Sequence, residues 1–421
     1  MKSISKLVLA VSVLFFVGCG DLDQPVNEQV SGGEVVVDLD GESIKGNLIA
    51  AGAPGVDEST TVYGYKAYKI PYTTTDEEGN SVAVSGLMVV PTGVPEAVNQ
   101  AGFSLVSDSH GTIFANSEAP TVIAAGTNSP DGSSIILTSL FAFVTLQADY
   151  IGFGDSSDHY HPFILKKSLA NSTADFIVAA KEFAANNAIN LNGQLFLTGY
   201  SEGGYAAMAA LKKIEQEGQL QVTMAAPMAG PYAVESMAMG VLSQPTISVP
   251  SFMANIAYAY TNAYDEDIAS VVNEPYASKL EDLFDGSKTR SEIDPELTTV
   301  TTGPDGLFNP TFVNDFFADP DSCCRTSLRN NDVHTWVPKT AVRLVHCLGD
   351  DVIPYAISEL AEGTIQAMSG NTANVALVPV EIAVTQDPAT ALRYGHSECG
   401  AVAYGEAATM FAETRKATIG Y

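Results

Sequence analysis

The chain has 421 residues and is strongly acidic, with 49 Asp and Glu against 20 Lys and Arg, a formal charge of −29. That balance excludes nucleic acid as a partner, because a phosphate backbone needs a basic footprint. With 46% hydrophobic and 16% charged residues there is ample core material, which excludes general disorder.

Lys2 and Lys6 precede a short apolar run over residues 7–17, the pattern of an export signal covering residues 1–18. The run is too short for a permanent bilayer-spanning helix. It ends in Phe16-Val17-Gly18-Cys19, which resembles a bacterial lipobox, with Cys19 as the lipidated new N-terminus. The expectation is an exported bacterial lipoprotein of the cell envelope, at the outer membrane or cell surface, held to the membrane through this anchor. Residues 19–60 are acidic and Gly-rich and read as a tether, with order expected from about Thr61.

Residues 62–72 and 82–90 have strand composition, and the turn cluster at residues 76–80 makes them a hairpin. Strand and helix patterns then alternate. Strands are expected at residues 103–106, 141–148, 195–198 and 220–225, and helices at 170–185 and 203–217, the latter closed by Gly218. From Pro227 to Pro338 the alternation is lost. It resumes with a strand at 341–347, a helix carrying Ile357, Leu360, Ile365 and Met368, and a strand at 375–384. The predicted architecture is a mostly parallel α/β sheet with helices on both faces. Residues 61–226 and 339–421 form its core, and residues 227–338 form an inserted helical cap. Apolar lining for a cleft under the cap is expected from Met228, Tyr232, Met237, Met239, Phe252, Met253, Tyr258 and Tyr260.

The chemistry centres on Gly199-Tyr200-Ser201-Glu202-Gly203, entered by a strand and left by a helix. That context puts Ser201 on a tight turn with its hydroxyl exposed and the Glu202 N–H facing a developing oxyanion. A serine hydroxyl needs a base, and the base needs an orienting acid. His334, His346 and His396 follow Ser201. His346 lies within a strand and reads as a core histidine, and His334 precedes the resumed core. His396, in a loop before the last helix, is the base. The acid belongs in the loop after residues 341–347, where Asp350 leads and Asp351 is the alternative. His110-Gly111-Thr112 follows a strand end and offers the Thr112 N–H as a second oxyanion donor, with His110 itself structural. Gly152-Phe153-Gly154 is not a dinucleotide fingerprint, and no C-x-x-C pair or His/Cys cluster suggests zinc, so no cofactor is expected. Besides Cys19, the cysteines are Cys323, Cys324, Cys347 and Cys399. Cys347 lies three residues before Asp350 and Cys399 three after His396. Acid and base must meet, so a Cys347–Cys399 disulfide is expected. Cys323 and Cys324 are left as a vicinal pair or as free thiols.

These stretches, together with Ala148-Asp149-Tyr150-Ile151, His161-Pro162-Phe163, Trp336-Val337-Pro338 and Gly349-Asp350, resemble the α/β-hydrolases of the secretory lipase (lipase-A-like) type and related bacterial lipases and esterases. The resemblance spans roughly residues 61–416 and is weakest in the cap. It implies hydrolysis of small-molecule or lipid carboxylic esters through an acyl-enzyme, with Ser201, Asp350 and His396 as the catalytic residues. Two other readings stay open. One is a serine aminopeptidase on the same triad, with Glu202 or the acidic cap holding a substrate ammonium. The other is a non-catalytic binding protein on a hydrolase scaffold.

Overall fold

The computed structural model describes residues 29–30, 33–51, 53, 56–381 and 393–421. Its described strands are β1 (Gln29–Val30), β2 (Gly33–Leu39), β3 (Gly64–Thr75), β4 (Ser81–Thr92) and β5 (Phe103–Ser109). They continue with β6 (Val144–Ala148), β7 (Leu191–Tyr200), β8 (Met224–Met228), β9 (Val342–His346) and β10 (Val375–Pro379). All join one sheet in the order β1-β2-β3-β4-β6-β5-β7-β8-β9-β10. The β1 to β4 edge is antiparallel and meets β6 antiparallel, while β6 through β10 run parallel.

Among the parallel strands, β5 and β6 are buried along their whole length and so covered on both faces. Neighbouring residues point to opposite sides. Leu105, Leu197, Ala225 and Leu344 enter one core with α2 (Lys166–Asn186) and α3 (Glu202–Glu217). Val106, Phe196, Ala226 and Val345 enter a second, with Phe411 of the C-terminal helix. The expected hairpin forms, with Thr75 opposite Ser81, and Asp76 Oδ1 closes its turn by accepting from the N–H groups of Gly79 and Asn80. Gly218 caps α3 in the left-handed conformation at φ 69°.

Three sequence expectations shift. Order begins before Thr61, because Val35 and Val37 pair β2 onto β3 and α1 (Gly41–Ala50) follows, N-capped by Asp40. Ile44 and Leu48 lie one turn apart and are buried, an amphipathic signal that the acidic residues around them obscure. The strand expected at 220–225 is β8, four residues later at its start. The strand expected from 141 starts at Val144, because Ile135–Leu140 coils as a π-helical turn ahead of it. The export signal, Cys19 and the first part of the expected tether lie outside the described residues.

Between β8 and β9 the chain is largely helical and includes α4 (Val234–Leu242), α5 (Pro250–Ala263) and α6 (Cys323–Asn330). Of the lining candidates, Met228 belongs to β8 and is fully buried in the sheet core, and Met239 is exposed at the surface. Phe252 stacks against Phe114 of the core, and Met253 lines an apolar pocket within this helical segment. Two further helices complete the core, α7 (Tyr355–Ser369) and α8 (His396–Ile419). Among the described residues no helix is long and apolar enough to cross a membrane.

Candidate active site

Ser201 sits between the end of β7 and the start of α3 with φ 60° and ψ −120°, a conformation that costs a non-glycine residue of order 1–3 kcal/mol. The turn is so tight that two positions admit only glycine. A methyl on Gly199 would lie 2.4 Å from the Gly203 carbonyl oxygen, and one on Gly203 would lie 1.9 Å from that of Ser109. The Ser201 N–H donates to the Met228 carbonyl (2.9 Å), which ties the turn to β8. The result is a side chain held above the C-terminal ends of the parallel strands, where sites in this class of sheet gather.

His396 opens α8, and its Nε2 lies 2.9 Å from Ser201 Oγ. Its Nδ1 lies 2.7 Å from Asp350 Oδ2 in the loop after β9. An ionised carboxylate only accepts, so Nδ1 carries the proton and Nε2 of the neutral ring is left to accept from the serine hydroxyl. The Asp350 carboxylate is fully buried. Burial alone would raise its carboxyl, but hydrogen bonds from His346 and His396 hold it well below the usual carboxylate range. Its Oδ1 accepts from the N–H groups of Val352 (3.0 Å) and Ile353 (2.8 Å), so both oxygens are satisfied. Asp351, the alternative acid, instead accepts the backbone N–H of His396 at 2.9 Å and is exposed.

Several neighbours hold this line of residues in place. The Cys347–Cys399 disulfide ties the end of β9 to the first turn of α8, with Cα atoms 5.9 Å apart. Glu381, fully buried after β10, accepts the N–H of Leu348 at 2.8 Å and those of Gly349 and Tyr394 at 3.3 Å, so it joins the acid loop to the base loop. Tyr200 packs its ring 4.9 Å from that of His396 and donates its hydroxyl to the His396 carbonyl at 2.7 Å. Neither Glu381 nor Tyr200 carried a role in the sequence reading. Both act through tertiary contacts that lack a motif of their own.

The loop after β5 approaches Ser201 from the other side. A methyl on Gly111 would lie 3.1 Å from the Tyr200 carbonyl oxygen and 3.9 Å from Ser201 Cβ, so Thr112 follows directly on the contact. His110 points away, with its ring nitrogens against the carbonyls of Gly111 (2.8 Å) and Asp149 (3.3 Å), as expected of a structural residue. His334 likewise binds a carbonyl, that of Tyr232, through Nδ1 at 3.0 Å. The Glu202 side chain is fully buried, with Oε1 2.7 Å from His161 Nε2. His161 Nδ1 donates to the Ile151 carbonyl (2.9 Å), so Nε2 and Oε1 must share one proton. A small cleft opens between Ile113, Phe153 and His161 of the core and Asn255 and Phe284 of the helical segment. Cys323 and Cys324 are unbonded in the first turn of α6. Among the described residues no cluster of three or more His, Cys, Asp or Glu could hold a metal ion.

Comparison with known proteins agrees with this frame. The model of the prolyl oligopeptidase family matches residues 133–225, which include the Ser201 turn. No curated protein matches the sequence. Among solved structures, a candidate hydrolase from Legionella pneumophila superposes with a TM-score of 0.79 at 23% identity, over 92% of this chain and 98% of its own. The rice cell wall degrading esterase LipA from Xanthomonas oryzae superposes with a TM-score of 0.73 at 22% identity, over 92% and 96%. Candida antarctica lipase A superposes with a TM-score of 0.56 at 14% identity, over 86% and 76%. The fold is that of the α/β-hydrolases, with a large, mostly parallel sheet flanked by helices.

Proposed function

We propose that the chain is an extracytoplasmic serine hydrolase that cleaves carboxylic esters, an esterase or lipase, through an acyl-enzyme. The observation that carries this reading is the unbroken line of hydrogen bonds from Ser201 Oγ through His396 to Asp350, built on a strained turn above the sheet. In it Ser201 attacks the ester carbonyl while His396 Nε2 takes its proton. His396 then gives that proton to the leaving alcohol, and water reverses the sequence to release the acid. Asp350 holds the imidazole in the required tautomer and stabilises the imidazolium. The backbone N–H groups of Glu202, at the start of α3, and of Thr112 are assigned to the oxyanion. The likeness to esterase LipA and to lipase A supports the ester reading at the level of fold.

A second reading, a peptidase on the same triad, draws support from the match of residues 133–225 to the prolyl oligopeptidase family. Glu202 offers it no help, because that carboxylate is buried and engaged by His161 and is closed to a substrate amine. Export through residues 1–18 and anchoring through lipidated Cys19 belong to this proposal and rest on the sequence alone. The test is a panel of p-nitrophenyl esters from acetate to long acyl chains beside aminoacyl anilides. A burst followed by turnover on esters, exceeding anilide turnover, is expected. No turnover on any ester would defeat the reading, and anilide turnover in excess would favour the peptidase.

A further inference from the structure

The mechanism above uses one histidine on Asp350, but the structure places two there. His346, the last residue of β9, is fully buried, and its Nε2 lies 3.2 Å from the same Oδ2 that receives His396. That Nε2 also lies 3.0 Å from the Ile353 carbonyl, which can only accept, so Nε2 carries a proton. Nδ1 of the neutral ring is then left to accept from the Ser358 hydroxyl of α7 at 2.7 Å. A strand-buried histidine needs one such partner to be satisfied. This one shares its N–H between the Ile353 carbonyl and the carboxylate that orients the base.

We infer that His346 is a positioning residue whose N–H, sharpened by Ser358, draws charge from Asp350 Oδ2 and so limits how strongly Asp350 stabilises protonated His396. The inference rests on the triad reading of the previous section. A hydrogen bond to a carboxylate stabilises its charge and lessens what it offers to a second donor. The carboxylate does not depend on His346 for its place, because Oδ1 is held by the N–H groups of Val352 and Ile353. Removing the His346 donor therefore leaves Asp350 in position as a stronger partner for His396. The imidazolium gains, and the free base becomes available only at higher pH. The other charged or titratable groups around the pair are Asp351, Glu381, Glu398 and Arg393 in the acid and base loops, Tyr200 on the nucleophile turn and Tyr355 on α7. All of them remain in the variants below, so a change between variants reports the donor.

The test uses the full chain and p-nitrophenyl acetate, with the pH dependence of kcat/KM measured for wild type, His346→Phe, His346→Gln and Ser358→Ala. The acid limb of kcat/KM reports the free enzyme's base. In His346→Phe, which keeps a ring but no donor, the limb moves up by about one pH unit, so kcat/KM on that limb falls about tenfold. In His346→Gln, which restores an N–H, the limb stays within roughly 0.3 unit of wild type. Ser358→Ala moves it up by a smaller amount. A folded His346→Phe whose limb stays in place or moves down overturns the inference. If circular dichroism shows His346→Phe unfolded, the same criterion applies to Ser358→Ala. Fluorophosphonate labelling of each variant, with Ser201→Ala as control, separates the two failures. An unlabelled wild type sinks the triad reading, whereas labelled proteins with unmoved limbs sink only the role of His346.

Discussion

Two adjacent carboxylates in the acid loop have different environments, and they should behave differently when neutralised. Asp350 is buried and bonded to the imidazole, while Asp351 is exposed and accepts from the His396 backbone. Asp350→Asn is expected to lower kcat on a short ester by about a thousandfold or more, since the imidazole loses its tautomer partner. Asp351→Asn is expected to cost less than about tenfold, a lost exposed hydrogen bond being of order 1 kcal/mol. Steady-state kinetics on p-nitrophenyl acetate checks the pair, and similar losses from both would reverse the assignment of the acid. The residues proposed to do chemistry were legible in the sequence, because Gly-x-Ser-x-Gly between strand and helix, and a late histidine, are local patterns. The residues that hold them were not. His346 read as a satisfied core histidine, which it is, but nothing in a strand pattern says that its partner is the acid. Glu381 lies inside the strand expected at 375–384, and only the packed loops reveal its three backbone partners.

At the scale of elements, the acid loop and the base helix are joined by one covalent tie. The Cys347–Cys399 bridge spans 52 residues, and closing a loop of that length contributes on the order of 4 kcal/mol by the chain-entropy account. The double variant Cys347→Ala, Cys399→Ala is expected to lose about 3–4 kcal/mol in urea unfolding, with kcat/KM below the transition falling further than in a surface-cysteine control such as Cys323→Ala. An unchanged midpoint would mean that packing alone holds the two loops together. The pairing could be reasoned from the sequence because acid and base must meet, which brings their flanking cysteines within reach. The β2 and α1 elements could not, since three valines and an Ile44–Leu48 pair are a faint signal inside an acidic stretch. The onset of β8 was misplaced for a different reason. Leu220-Gln221-Val222-Thr223 alternates apolar and polar residues as a strand does, yet pairing starts only at Met224.

Across the whole molecule, the acidic balance extends into the core. Asp108 on β5 is enclosed with Ser133, Gln147 and Tyr404. Burial and then the charge of Asp131 push its carboxyl up to about 7, against the pull of those hydrogen bonds. The folded value lies above the ordinary value of 3.8, so the protonated form is the one that folding favours. Its stabilisation is complete below about pH 4 and is lost as pH rises toward about 7, on the order of 2–4 kcal/mol for a fully buried group. Urea unfolding at pH 5 and pH 8 should show a drop in the wild type that is smaller in Asp108→Asn. An equal drop in both proteins would place the pH dependence elsewhere. Phe252 sits against Phe114 beside the cleft, so Phe252→Ala is expected to change the preference between long and short acyl chains by more than it changes acetate turnover. Equal losses on both would indicate a stability effect.

The central claim is that Ser201 is a nucleophile activated by His396, and covalent labelling tests it most directly. The purified chain is treated with a fluorophosphonate and digested, and the peptide carrying the adduct is identified by mass. The account predicts one adduct, on Ser201, abolished in Ser201→Ala and slowed at least about a thousandfold in His396→Ala. An adduct on another residue, or labelling that persists in Ser201→Ala, would contradict it.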